Sequence, residues 1–269
     1  MDNRKEEWKK QRTDRVGEIR KNRNGTLMEI IDYRSYRDIT IQFKDDNGAI
    51  AKTRYDAFIN MNVRNPYDRV NYGIGYLGYD IRENKCYTSL KSYSAWNDMI
   101  KRCYSTKEIR KRRNTYIDCT VCEEWHNYMN FKKWYDENYW EVENDWMCLD
   151  KDILYKDNKI YSPKTCIIVP NRINVLFIKA NKIRGDYPIG VSYNKSHKYF
   201  TASCHKIKCG VGKLEHIGDY PTPKEAFNAY KKIKESYIKQ VADEYKSKYP
   251  NFPQRLYDAM YSYEVEITD

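Results

Sequence analysis

Between Asp186 and Glu215 the chain carries no acidic residue, yet it holds Lys195, Lys198, Lys206, Lys208 and Lys213 together with His197 and His205. Cations gathered without counter-charges attract polyanions, because neutralising phosphates releases their condensed counterions. A second basic stretch runs Lys107-Glu108-Ile109-Arg110-Lys111-Arg112-Arg113. A solvated loop is the plainer reading of such a run; phosphate contact by Arg110, Arg112 and Arg113 is the functional one. Cys119-x-x-Cys122 has the spacing of half a zinc site, but no second pair follows, since Cys148 and Cys166 stand far apart. Buried core thiols therefore outweigh structural zinc. Asp150-Lys151-Asp152 sets two carboxylates around a lysine, and its plain reading is a solvated turn. Gly73, Gly75 and Gly78 lack the Gly-Lys-Ser/Thr of a phosphate-cradling loop and read as turns.

The totals agree with a polyanion partner. Over 269 residues, 49 Lys+Arg stand against 38 Asp+Glu, giving a formal net charge of +11. Hydrophobic residues make up 41% and charged residues 32%, which favours several small cores over one large one. The 27 tyrosines offer flat faces for stacking and hydroxyls for phosphate or base. No apolar run approaches the roughly 20 residues that span a bilayer. Met1 to Lys21 is charged, without the apolar centre of a signal peptide. These features predict a cytoplasmic protein with no membrane partner and with its cysteines as thiols.

The elements that must position these residues follow from periodicity. Met28, Ile30 and Tyr33, then Ile39, Ile41 and Phe43, alternate as strands do; Asp45-Asp46-Asn47-Gly48 supplies a turn, and Ala49 to Tyr55 a return strand. Residues 16–70 thus read as a small β-barrel-like module of Src-homology-three type, behind a charged leader over 1–15. Ser92 is expected to cap a helix reaching about Tyr104, with Tyr93, Trp96, Ile100 and Cys103 on one face. Trp125, Tyr128, Phe131, Trp134 and Tyr135 predict a second helix whose aromatic stripe is core. Trp146 to Ile153, Cys166 to Val169 and Pro170 to Ala180 read as strand, strand and helix, with Pro170 at the first helical position.

From Tyr187 three short strands precede a helix opened by the capping box Thr222-Pro223-Lys224-Glu225. Ala226, Ala229, Tyr230, Ile233 and Tyr237 form its buried stripe. Alternation turns Phe200, Ala202 and Cys204 toward that helix and Thr201, Ser203 and His205 outward. A sheet that is packed on one face and polar and basic on the other is how a β-sheet reader meets a DNA groove.

The residues Tyr187-Pro-Ile-Gly190-Val191, Lys198-Tyr199-Phe200-Thr201-Ala202, His216-Ile217-Gly218-Asp219-Tyr220 and Pro223-Lys-Glu225-Ala226-Phe-Asn-Ala229-Tyr230 resemble the ethylene-response-factor (APETALA-type) domain. That resemblance, over Tyr187 to about Tyr237, implies a three-stranded sheet in the major groove backed by one helix. It nominates Tyr193, Asn194, Lys195, Lys198, Thr201, Ser203, His205, Lys206, Lys208, Lys213 and His216 as DNA contacts. The family's arginines and tryptophans are replaced here by Ser192, Asn194, His205 and His216, so its base preference does not carry over.

A second resemblance covers about residues 92–180. Leu149-Asp150-Lys151-Asp152-Ile153, Asn158 to Pro170 and Asn174 look like the ββα-metal motif of HNH endonucleases, closest to phage-encoded homing types; Trp96, Arg102-Cys103-Tyr104, Val121-Cys122, Trp125 and Phe131 agree with that group. The resemblance implies Mg²⁺ or another divalent cation, held by Asp150 and Asn174, and metal-dependent cleavage of DNA. The family's base, a histidine, falls on Lys151, which is protonated near neutral pH unless burial lowers its pKa strongly; Asp152 is the alternative ligand or base.

Together these readings predict an α+β chain of modules: leader 1–15, β-module 16–70, HNH-like module 71–183, DNA-binding domain 184–239 and helical tail 240–269, broken near Pro250 and Pro253. The expected partner is double-stranded DNA, and the sequence leaves protein partners open. Two functions compete: a homing-type endonuclease, and a catalytically inactive regulator or counter-defence factor on the same scaffold. RNA binding is a third class, given the many Tyr and Lys.

Overall fold

In a computed structural model the chain is α+β, with several small sheets. It describes residues 15–78, 87–106, 116–179, 186–208 and 211–269. Two compact units emerge, Met1–Glu137 and Asn138–Asp269.

The alternating residues of the first unit form β1 (Ile19–Lys21), β2 (Leu27–Ser35), β3 (Asp38–Phe43) and β4 (Ile50–Thr53), an antiparallel sheet in that order. Met28, Ile30, Ile39, Ile41 and Phe43 project from one face and are buried with Phe58. The expected turn is present: Gly48, at φ 57°, donates its N–H to the Asp45 side chain at 2.9 Å. The expected barrel does not close. β1 has three residues and β4 four, too short to meet by tilting, and Tyr55 opens helix α1 (Tyr55–Ile59) instead of extending β4.

Helix α2 (Lys91–Tyr104) buries Trp96, Met99, Ile100 and Cys103. Ser92 is not its cap; that residue is buried inside the helix, 3.0 Å from the Tyr128 hydroxyl, and Leu90 holds the cap position. After β5 (Thr120–Val121), a 3₁₀ turn carries Trp125, and α3 (Tyr128–Asn138) carries Phe131, Trp134 and Tyr135. The aromatic stripe is core, as expected: Trp125 meets Phe131 and Trp134 at 5.0 and 4.6 Å, and Trp96 Nε1 donates to the Trp125 carbonyl at 2.7 Å.

In the second unit β6 (Met147–Asp150) pairs antiparallel with β8 (Ile167–Pro170), with the short β7 (Ile160–Tyr161) between them in sequence. Helix α4 (Asn171–Asn174) follows at once and passes into a 3₁₀ turn, Val175–Phe177. The strand–strand–helix order is the expected one, but both ends contract. Asp152 and Ile153 leave the strand for a turn, and Pro170 closes β8 rather than starting a long helix.

A three-stranded antiparallel sheet follows, made of β9 (Val191–Asn194), β10 (Tyr199–Lys208) and β11 (Val211–Tyr220), with β10 in the middle. Helix α5 (Pro223–Lys248) opens on the predicted cap: Thr222 Oγ1 accepts the Glu225 N–H at 3.3 Å, and Pro223 sits in the first turn.

At 26 residues, α5 is about 39 Å long. Its first half seals Ala202 and Cys204 with Ala226, Phe227 and Tyr230. Its second half buries Tyr237, Ile238, Val241, Ala242 and Tyr245 against Trp140, Ile167, Val169 and Ile173, joined by Leu256 and Met260 of α6 (Gln254–Ser262). The expected boundary at residue 239 therefore falls inside one continuous helix. Trp140 inserts its Nε1–H into β8, donating to the Ile168 carbonyl at 2.8 Å. Arg172 of α4 grips Glu244 of α5 with two bonds, at 2.9 and 3.0 Å. No described helix is long and apolar enough to cross a membrane.

Candidate nucleic-acid interface

Cross-strand pairing sorts the sheet residues by face, because directly opposed side chains lie on the same side. Phe200, Ala202 and Cys204 turn toward α5, as alternation predicts. The opposite face holds Thr201 beside Ser192 and Asp219, Ser203 beside His216, and His205 beside Leu214. Leu214 and His216 are largely exposed, at 63% and, for the imidazole side chain, 60%.

Among the described residues Ser192, Ser203 and His205 have side chains with no hydrogen-bond partner in the fold, so they keep their donors and acceptors for an outside ligand. The His205 ring reaches over Gly212 of β11: a Cβ there would come within 2.5 Å of its Cε1, so a larger residue would push the ring aside. Thr201 donates to Asp219 Oδ1 at 2.8 Å, and His216 Nε2 reaches the same oxygen at 3.2 Å.

Asn194 has a different task. Its Oδ1 accepts the N–H groups of Ser196 and His197 at 3.1 and 3.2 Å, which shapes the β9–β10 turn. That turn presents Lys195 and Lys198, the latter at φ 58°, with His197 stacked on Tyr199. Three of the nominated residues lie on the helix side. Tyr193 packs its ring on Phe200 at 4.9 Å. Lys206 pairs with Glu215 at 3.1 Å and sits over the Tyr237 ring, and Lys213, its cross-strand partner, shares that side. Sequence spacing placed these lysines on the same short span but not on opposite faces. Arg110, Arg112 and Arg113 fall outside the described residues, as does the side chain of Lys208.

The Asp150 turn is a closed arrangement. Asp150 Oδ1 accepts the N–H groups of Asp152 and Ile153, both at 2.7 Å. Burial raises the Asp150 carboxyl above its ordinary range, against the lowering effect of those bonds. Lys151 is 4% exposed; its ammonium donates to Asp152 Oδ1 at 2.6 Å and to the Asn158 carbonyl at 2.7 Å, and it faces the Tyr161 ring. Asn158 returns the contact by donating to the Lys151 carbonyl at 2.9 Å. Lys151 thus donates to two groups of the loop that it ties down.

Asn174 ends α4, in the same ββα-ordered segment, and among the described residues no hydrogen bond joins it to Asp150. At the turn one oxygen of each aspartate is engaged, Oδ1 of Asp150 by backbone N–H groups and Oδ1 of Asp152 by the Lys151 ammonium. Among the described residues no three His, Cys, Asp or Glu side chains gather into a metal-holding group. Burial raises the pKa of Cys122, the second of the C-x-x-C pair.

No known protein family, curated protein or solved structure matches the chain.

Proposed function

We propose that the protein binds double-stranded DNA with the open face of the β9–β11 sheet. The carrying observation is the division of labour on that sheet. Ser192, Ser203 and His205 project unengaged polar groups beside the exposed Leu214, while Lys195 and Lys198 stand on the turn at one end. Base edges are read by hydrogen bonds and by apolar contact with the thymine methyl, whereas phosphates fix position through cations. The face supplies the first set and the turn the second. Helix α5 stiffens the sheet from behind and ties it to the ββα segment, because one continuous helix seals both cores. In this reading the ββα segment is a frame braced by Lys151, and the protein acts as a regulator or counter-defence factor in the cytoplasm of a host cell.

Quantitative binding to duplex DNA over a range of salt tests this reading. Lys195→Ala with Lys198→Ala is expected to weaken all duplexes alike and to lower the salt slope by roughly 2. His205→Ala is expected to weaken some sequences more than others. Structured RNA that outcompetes duplex DNA at equal salt overturns the proposal.

Metal-dependent cleavage is the second reading, favoured by the strand–strand–helix order that carries Asp150 and Asn174. Nicking of supercoiled plasmid with Mg²⁺ or Mn²⁺, present in the wild type and absent in Asp150→Ala, would establish it in place of the regulator.

A further inference from the structure

The first unit contains a cavity of about 600 Å³ whose chemistry is not used by the sheet of the second unit. That size lies within the range that holds small organic ligands. Its walls come from the β1–β2 turn, the loop after α1, the residues preceding α2, and Tyr93 within α2.

Two cations line it. Three arginines of the β-sheet module are neutralised locally: Arg20 by Glu18, Arg34 by Asp32 and Arg54 by Asp56. Arg23 and Arg64, on the cavity, meet no carboxylate among the described residues. Among the described residues lining the cavity the one carboxylate is Asp68, and it is not theirs. Asp68 accepts from Asn22 and Asn24 at 2.7 and 2.8 Å and from the Thr26 hydroxyl at 2.5 Å, so neutral donors satisfy it. A pair of unneutralised guanidinium groups beside a cavity is the standard recognition chemistry for a phosphate.

The rest of the lining suits an aromatic ring with polar edges. Tyr87 and Tyr93 stand edge to face at 5.0 Å and both line the space, as do the apolar Val63 and Leu77. Among the described residues no hydrogen bond engages the Asn62 side-chain amide. Asn71 gives its Nδ2 to Asn97 at 3.0 Å and leaves Oδ1 unbonded among the described residues. Amides with free donors and acceptors match the hydrogen-bonding edge of a nucleobase.

We propose that this cavity binds one nucleotide unit, its phosphate between Arg23 and Arg64 and its base against Tyr87 and Tyr93. The same chemistry is offered by a free nucleoside monophosphate and by a unit of single-stranded DNA. The proposal does not depend on the sheet of the second unit holding duplex DNA.

Calorimetric titration of the intact protein with four probes tests it: deoxyadenosine 5′-monophosphate, deoxyribose 5-phosphate, deoxyadenosine, and a trinucleotide of deoxyadenosine. The monophosphate is expected to bind at least tenfold more tightly than either fragment. Arg23→Ala with Arg64→Ala is expected to cut that affinity tenfold or more. Both side chains are exposed, so the variant keeps its fold, which circular dichroism checks. Lys195→Ala with Lys198→Ala should leave the titration unchanged, which separates this site from the sheet. A trinucleotide that binds more tightly than the monomer identifies single-stranded DNA as the source; equal or weaker binding identifies the free nucleotide. Deoxyribose phosphate binding as well as the monophosphate overturns the base site. Failure of both nucleotides to bind, or indifference to the arginine substitutions, overturns the whole proposal.

Discussion

His216 Nε2 stands 3.2 Å from Asp219 Oδ1, although strict strand alternation sends residues three apart to opposite faces. A β-bulge resolves the conflict. Ala202 pairs with Gly218 and Ser203 with His216, so Ile217 is the extra residue and both polar side chains emerge on the open face. The Thr201 hydroxyl bonds the same carboxylate oxygen and holds Asp219 below its ordinary pKa, with His216 adding to the effect. Bulges re-aim side chains, and this one gathers three polar groups where the sheet is free to meet a ligand.

Asp219 also carries a negative charge into a face proposed to approach phosphates. Asp219→Asn keeps an acceptor for Thr201 and removes the charge. Duplex affinity is expected to rise by about three- to tenfold at moderate salt, the scale of one removed electrostatic clash. Fluorescence anisotropy across a salt series measures it; unchanged or weaker binding would mean that the open face does not approach DNA.

Gly190 gives a test of the fold behind that face. It sits at φ 76°, and a Cβ there would fall 2.1 Å from Cδ2 of Tyr230 in α5. Gly190→Ala therefore combines an unfavourable backbone conformation with overpacking against a buried ring. The expected loss is about 2–4 kcal/mol of stability, read from urea denaturation. A midpoint within error of the wild type would show that Tyr230 moves aside without cost.

Local rules recovered the parts of this fold that local rules govern. The Asp45–Gly48 turn, the Thr222 cap and the sorting of Ala202 and Cys204 from Thr201 and Ser203 depend on neighbouring residues, and they appear where the sequence puts them. What escaped depends on distant partners. Ser92 has the chemistry of a cap, yet Tyr128 recruits it into the core. Residues 239–240 look like a boundary because the composition turns charged, but Ile238, Val241 and Ala242 find a second core and the helix continues. The faces of Lys206 and Lys213 follow from register, which a count of lysines does not contain. The tie from Lys151 to Asn158 spans seven residues of loop and leaves no periodic signal.

Lys151 should behave as a brace. Its side chain is 5% exposed, and its two acceptors lose their partner on truncation. Lys151→Ala is expected to cost about 1–3 kcal/mol, because the part-buried Asn158 carbonyl loses its donor and the buried lysine stem leaves a void. Lys151→Met keeps the stem and should cost less. Thermal denaturation of the two variants separates the contributions of packing and charge. Equal, small losses would show that the ammonium is dispensable to the turn.

Two carboxylates of the second unit should give opposite pH signatures. Asp269 is 3% exposed, and burial alone would raise its pKa. The backbone N–H of Glu266 and the ammonium groups of Lys156 and Lys179 overcome that and hold it below the ordinary range. Its contribution to stability is therefore present above the unfolded carboxylate pKa of about 3.9 and is lost as pH falls through the lower folded value. Asp150 is shifted the other way by burial, so its ionisation costs stability as pH rises from the unfolded pKa through the raised folded one. Asp269→Asn should be less stable than wild type at neutral pH and converge on it in acid. Asp150→Asn, which retains an acceptor for the N–H groups of Asp152 and Ile153, should match or exceed wild type at neutral pH and lose that advantage in acid. Urea denaturation at stepped pH resolves both. Parallel pH profiles for the two variants would refute the assignment of opposite shifts to these two side chains.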